Sequence, residues 1–178
     1  MKILFIGDIV GASGRQIVVD HLPMLKEQYE IDFTIANGEN SAHGKGITKK
    51  IYNQLTEAGV ECITMGNHTF AKREIIDDYD ACPNLLIPAN IEPIDFGNYY
   101  KVFDVQGKQI CVVNLYGEAF MNRVGDRPYP YMDWLLENTR YDYDYGRFPW
   151  RIDQRKRCYL HIFILKKLMR WLEPIHMF

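Results

Sequence analysis

The 178-residue chain lacks several features, and each absence removes a class of protein. No apolar run approaches the ~20 residues that cross a bilayer, and the N-terminus has none of the basic, apolar and small-residue regions of a signal peptide. A charge excess is missing as well: 21 Lys and Arg stand against 23 Asp and Glu, for a formal net charge of −2. That balance gives no ground for a stable nucleic-acid complex. The four cysteines, Cys62, Cys82, Cys111 and Cys158, show no CxxC spacing, and three sit in apolar surroundings. They read as reduced thiols, so the expected location is cytoplasmic, with no membrane partner. Two glycine-rich stretches also miss the phosphate motifs. Gly7 to Gly14 (GDIVGASG) lacks GxGxxG spacing, and His43-Gly44-Lys45-Gly46 has no Ser or Thr after its lysine.

What is present is ordinary for a globular domain with a sizeable core: 47% hydrophobic and 25% charged residues. Apolar, β-rich runs end repeatedly at small polar clusters. Lys2–Ile6 leads into Gly7-Asp8, Asp32–Ala36 into Asn37-Gly38-Glu39-Asn40, Glu61–Met65 into Gly66-Asn67-His68, and Leu85–Ile87 into Pro88-Ala89-Asn90. Short runs without strict alternation predict strands buried on both faces, hence a parallel sheet. Helical stretches separate them: Arg15–Tyr29, interrupted by Pro23; Lys49–Ala58, with Thr48 as N-cap and Gly59 as stop; and a shorter one over Lys72–Tyr79. Alternating strand and helix predicts an α/β fold. Tyr99–Val105 and Gln109–Leu115, joined through Gln106-Gly107-Lys108, predict an antiparallel hairpin that makes the sheet mixed.

In an open α/β sheet, ligands bind beyond the C-terminal ends of the strands. The four runs therefore bring Asp8, Glu39, Asn40, Asn67, His68 and Asn90 to one rim. Asp8 and Glu39 are oxygen ligands for divalent cations, Asn40 and Asn67 add carbonyl oxygens, and His68 ligates or moves protons. Taken singly, each has a structural alternative: a turn or cap for Asp8 and Asn67, a solvated side chain for Glu39, a hydrogen-bonded histidine for His68. Their joint placement after successive strands favours a site. Gly11 and Gly14 let backbone amides approach an anion at the next helix start, where Arg15 suits either an anion or a surface ion pair.

GDIVGASGR (7–15), NGENSAHGKGIT (37–48), TMGNHTF (64–70) and PAN (88–90) together resemble the YmdB-type metallophosphoesterases of the calcineurin-like superfamily, over roughly residues 1–140. The resemblance implies a sandwich of mixed β-sheets flanked by helices, with two divalent metal ions, iron or manganese. It also implies hydrolysis of phosphodiester bonds by a metal-activated water, with 2′,3′-cyclic nucleotides as the small-molecule substrates. Carried over residue by residue, Asp8 and Asn40 bind one metal, Glu39 bridges both, Asn67 binds the other, and His68 gives a proton to the leaving oxygen. Gly11, Arg15 and Asn90 are the corresponding phosphate-side candidates. Assembly into a homo-oligomer is implied too, although strands missing at the C-terminal end would leave a sheet edge open to aggregation.

The later family stretches DFHxE…TSEK and GTHTH, which supply three more histidine ligands, do not occur here. Residues 141–178 instead carry +4 against −6 for the first 140, with Trp150 and Trp171 among them. Back-translation of Gly146–Lys156 (GRFPWRIDQRK) admits a frame one base later that reads VDFHGESTSE. Met169–Phe178 (MRWLEPIHMF) admits one a base earlier that reads DAVVGTHTHV. The expectation is a metallophosphoesterase portion at 1–140 and an out-of-frame basic, aromatic tail at 141–178 that docks poorly, with catalysis impaired. Two alternatives stand beside it. The tail is a natural amphipathic helix around Cys158–Leu172 that binds a surface or partner through Trp150 and Trp171. Or the chain is a non-catalytic nucleotide- or phosphate-binding or regulatory remnant, acting through the Gly11–Arg15 loop or the tail.

Overall fold

The β-rich runs of the N-terminal half pair in the order in which they occur. A computed structural model describes residues 1–91, 96–117, 127–138 and 159–165. Strands β1 (Ile3–Ile6), β2 (Phe33–Asn37), β3 (Cys62–Thr64) and β4 (Leu85–Leu86) form one parallel sheet in the order β1-β2-β3-β4. Helices α1 (Gly11–Tyr29), α2 (Lys49–Glu57) and α3 (Glu74–Asp77) make the three crossovers. Successive right-handed crossovers in one direction put every helix on the same face. Side chains show this: Val18 and Leu22 of α1, Ile51, Tyr52 and Leu55 of α2, and Ile75 of α3 pack with Leu4, Ile6, Ala36, Ile63 and Leu85 of the strands.

Residues of the opposite parity, Ile3, Phe33, Ile35, Cys62 and Leu86, point to the other face. There they meet a second sheet built from β5 (Tyr100–Val105), β6 (Lys108–Tyr116) and β7 (Tyr159–Leu165), antiparallel throughout. Val105, Ile110 and Val112 close this inter-sheet layer, and the rings of Phe33 and Phe103 stand 4.9 Å apart. The outer side of β6 (Cys111, Val113, Leu115) packs with Met132 of α4 (Pro128–Asn138), completing a helix–sheet–sheet–helix stack. These are the layers that the resemblance implies. The hairpin forms within its own sheet because a two-residue turn, Gln106 (φ 54°) and Gly107 (φ 75°), returns the chain at once. It joins the parallel sheet through a parallel bridge between Leu86 and Asn98.

Local details follow from side-chain chemistry. Helix α1 starts at Gly11 and runs through the exposed Pro23 without breaking, because the hydrogen bond that proline removes lies at the solvent side. Thr48 caps α2 as expected, its hydroxyl accepting from the Ile51 N–H at 3.3 Å. Helix α3 is shorter than the 72–79 stretch. Asp77, Asp78 and Asp80 oppose the negative end of a longer helix, and Tyr79 instead turns inward to give its hydroxyl proton to the Leu85 carbonyl at 2.5 Å. Residues 159–165 form β7, so a helix over Cys158–Leu172 is excluded at those positions. The run YLHIFIL is aromatic and β-branched, which suits a strand. The rest of the tail, with Cys158, Trp150 and Trp171, lies outside the described residues. Cys62, Cys82 and Cys111 are buried, and burial pushes the Cys62 thiol well above the usual thiol range. Among the described residues no helix is long and apolar enough to cross a membrane.

Asp32 ties the far ends of this stack together. Its carboxylate accepts from the Lys2 backbone N–H at 2.6 Å and from the Gln106 side-chain amide at 2.8 Å. The Lys2 hydrogen bond is the main cause of its lowered pKa. A carboxyl lowered on folding stabilises the native state above its unfolded value, and the contribution is lost as pH falls through the lower native one. Asp32→Asn is therefore expected to lower the urea midpoint at pH 6, with the gap to wild type closing below about pH 4; a constant gap would exclude the linkage. Ile35→Ala, in the closed inter-sheet layer, should cost about 2–5 kcal/mol by urea unfolding. Ile17→Ala, on the exposed face of α1, should stay within about 0.5 kcal/mol.

Candidate metal centre

The register of β1 on β2, with Ile6 beside Ala36, sets the loops after these strands side by side. Main-chain bonds then stitch them: the Ile9 N–H donates to the Asn37 carbonyl at 3.1 Å, and the Gly11 N–H to the Asn40 carbonyl at 3.0 Å. As a result the Asn40 amide faces Asp8 directly, its Nδ2 lying 2.8 and 2.9 Å from the two carboxylate oxygens. Asp8 itself is exposed at the rim.

Glu39 occupies the other extreme, with 0% of its surface exposed. The loop that buries it is built around its own backbone. Its N–H donates to the Asn37 side-chain carbonyl at 3.2 Å, and its carbonyl accepts from the Gly46 N–H at 2.5 Å. Ser41 closes the turn, its hydroxyl donating to the Gly38 carbonyl at 2.6 Å. Gly46 is required here: its φ is +77°, and a Cβ would come within 2.8 Å of Lys72 Cγ and 3.2 Å of the Lys72 nitrogen. Gly46 thus lies against the chain that leaves His68, at Ala71 and Lys72.

Asn67 and His68 form a second pair. The Asn67 amide nitrogen lies 3.4 Å from His68 Nε2. Thr69 holds the turn shut, its N–H and hydroxyl both directed to the Gly66 carbonyl, at 3.1 and 2.6 Å. Among the expected metal and catalytic residues the structure thus brings Asp8 against Asn40 and Asn67 against His68, and buries Glu39 in the loop between them in sequence.

Gly11, Arg15 and Asn90, the phosphate-side candidates, each make contacts within the protein. The Gly11 N–H is committed to Asn40. Arg15 gives Nε to the Gln54 side chain at 3.0 Å and Nη1 to the Ser41 carbonyl, clamping the Glu39 loop onto α2 rather than forming a surface ion pair. Asn90 exchanges two hydrogen bonds with the Tyr116 main chain, at 2.9 and 2.7 Å. In this structure all three brace the rim. Further supports escaped the sequence reading: Asn37, Ser41, Thr69 and Asn114. Only Asn114 carried a visible signal, since an asparagine inside the strand run CVVNLY is out of place.

Two carboxylates, two amides and an imidazole suit a hard or borderline divalent cation. Among the described residues, however, no three His, Cys, Asp or Glu side chains come together as a metal-holding group. The donor types fit such a cation.

Comparison with known proteins agrees with this architecture. Over 126 residues the chain is 48% identical to a protein of Bacillus subtilis named 2′,3′-cyclic-nucleotide 2′-phosphodiesterase, covering 71% of this chain and 48% of that one. Among solved structures it is similar to a hypothetical protein of Thermus thermophilus, with TM-score 0.71 and 36% identity over 80% of this chain and 55% of the other. A structure described as a novel phosphatase of Mycoplasma pneumoniae gives TM-score 0.72 and 33% identity, over 78% and 51%. The chain thus spans about half the length of these relatives. The family model described as YmdB-like protein matches residues 4–146, and the chain belongs to that family.

Proposed function

We propose that this chain carries the N-terminal half of a metal-dependent phosphodiesterase that hydrolyses 2′,3′-cyclic nucleotides. The observation that carries the reading is the rim itself: an Asp8–Asn40 pair, a fully buried Glu39 and an Asn67–His68 pair, each following one of three adjacent parallel strands. The name of the Bacillus subtilis relative supports the substrate class. Asp8 and Asn40 would hold one ion, Asn67 the other, and Glu39 both, with iron or manganese as the ions. When bound, such ions polarise a phosphoryl oxygen and make water a better nucleophile.

The chain's own residues do the rest. Asn40, tied to Asp8, fixes the direction of that carboxylate. The buried Glu39 loop keeps water from one side of the centre, and its clamp to Arg15 prevents the wall from yielding. His68, half-exposed on a turn locked by Thr69, is placed to give a proton to the leaving ribose oxygen, a role that imidazole fills near neutral pH.

The tail enters the same proposal. We read residues 141–178 as having left the family's reading frame. Support comes from the two recoverable histidine motifs and from the end of the family match at residue 146. A non-catalytic nucleotide-binding role is the second reading, favoured by the lack of a group of three His, Cys, Asp or Glu side chains among the described residues.

One set of assays separates these. DNA is re-read across codons 138–178, and both this chain and any frame-corrected longer protein are assayed on a 2′,3′-cyclic nucleotide with Mn²⁺ or Fe²⁺. The expected outcome is turnover by the longer protein, far weaker in this chain, removed by Glu39→Gln and reduced about 10²–10⁴-fold in kcat by His68→Ala. Nucleotide binding without turnover in either protein would establish the second reading instead.

A further inference from the structure

We propose that Asn114 is a positioning residue of the rim: its side-chain amide, held between the carbonyls of Met65 and Leu86, sets where the turn bearing Asn67 and His68 stands over the sheet. The importance of that turn rests on the function proposed above.

Asn114 lies on β6, the central strand of the second sheet, and is wholly buried. Its neighbours of the same parity, Ile110 and Val112, are apolar and fill the inter-sheet layer. An apolar side chain at position 114 would continue that layer without any desolvation cost, so the polar group needs a reason. The reason is visible in its bonds. Nδ2 donates to the Met65 carbonyl at 2.8 Å and to the Leu86 carbonyl at 2.9 Å, using both amide hydrogens on another sheet. Its main chain is spent as well, accepting from the Ala89 N–H at 2.9 Å and donating to the Tyr99 carbonyl at 3.0 Å. One residue therefore touches the residue just before β5, the end of β4, the Pro88–Asn90 segment and the stem of the β3 loop.

Met65 is that stem. Its N–H donates to the Leu86 carbonyl at 2.9 Å, and its carbonyl takes Asn114, so both of its peptide groups are anchored. Immediately beyond it, Gly66 to Thr69 is closed internally by the two Thr69 bonds to the Gly66 carbonyl. A turn that is rigid within itself moves as one body, and its placement is decided at the hinge. Removing the Asn114 donors orphans the Met65 carbonyl and frees that hinge, while leaving the turn's own bonds intact.

The test uses the full chain with Asn114→Leu, near in size but without donors, beside Val112→Ala in the same buried layer. Amide hydrogen exchange is measured without metal, and Mn²⁺ affinity by electron paramagnetic resonance. Asn114→Leu is expected to speed exchange over residues 65–68 about tenfold more than over β2 and to weaken Mn²⁺ binding about tenfold, as loss of a supporting hydrogen bond does at metal sites. Val112→Ala should affect β2 and residues 65–68 alike and leave Mn²⁺ affinity close to wild type. If Asn114→Leu fails to fold, Asn114→Ser, which keeps one donor, is read in the same way. Uniform exchange across both segments in the Asn114 variant would overturn the proposal. Failure of the wild-type chain to bind Mn²⁺ would count against the metal reading alone, because the exchange pattern still decides the role of Asn114.

Discussion

A parallel sheet whose crossovers all lie on one face has to cover its other face, and everything else in this protein follows from how it does so. The β1–β4 sheet leaves Ile3, Phe33, Ile35, Cys62 and Leu86 uncovered by helices. Among the described residues, hydrophobic burial on that side comes from the second sheet, chiefly from Ile110 and Val112. The consequence reaches the rim. On the β3 and β4 side of the rim it is the second sheet that reaches across with polar groups. Asn114 does so toward Met65 and Leu86, and Tyr116 toward Asn90.

The rim is thus two assemblies of different character. The Asp8–Asn40–Glu39 side is held from within the parallel sheet, by main-chain bonds between adjacent loops and by Arg15 from the first helix. The Asn67–His68 side is held from the second sheet. The metal centre proposed for this rim would need both sides at a fixed separation. That separation is a property of inter-sheet packing rather than of any single loop.

Much of this was legible before any coordinates. Short β-rich runs without strict alternation, such as DFTIA, ending in polar clusters point to a buried parallel strand, and Thr48 with Gly59 bracketed α2 to within a residue. The candidate residues were legible because chemistry is written in residue types: carboxylates, amides and an imidazole at three strand ends. What stayed hidden was use. Nothing local distinguishes an Arg15 that grips a neighbouring carbonyl from one that waits for an anion, because the difference lies in Gln54 and Ser41, far along the chain. Asn90 reads as a rim residue by position, and nothing local shows that its amide also bonds a strand 26 residues later. The early end of α3 and the passage of α1 through Pro23 were equally matters of context, decided by Tyr79 packing and by solvent at the helix surface.

The sequential strand order has one more consequence, for the way the protein is made. Each strand of the first sheet pairs with the one synthesised just before it, so no strand must wait for a partner still inside the ribosome. The contacts are short in sequence and can form in the order of translation, which favours early, local assembly over a late search. The second sheet is the opposite case, because its inner strand β6 has β7 as a neighbour more than forty residues downstream. During synthesis the helix-covered face matures first, and the bare face with its polar rim stays exposed until β6 emerges to cover it.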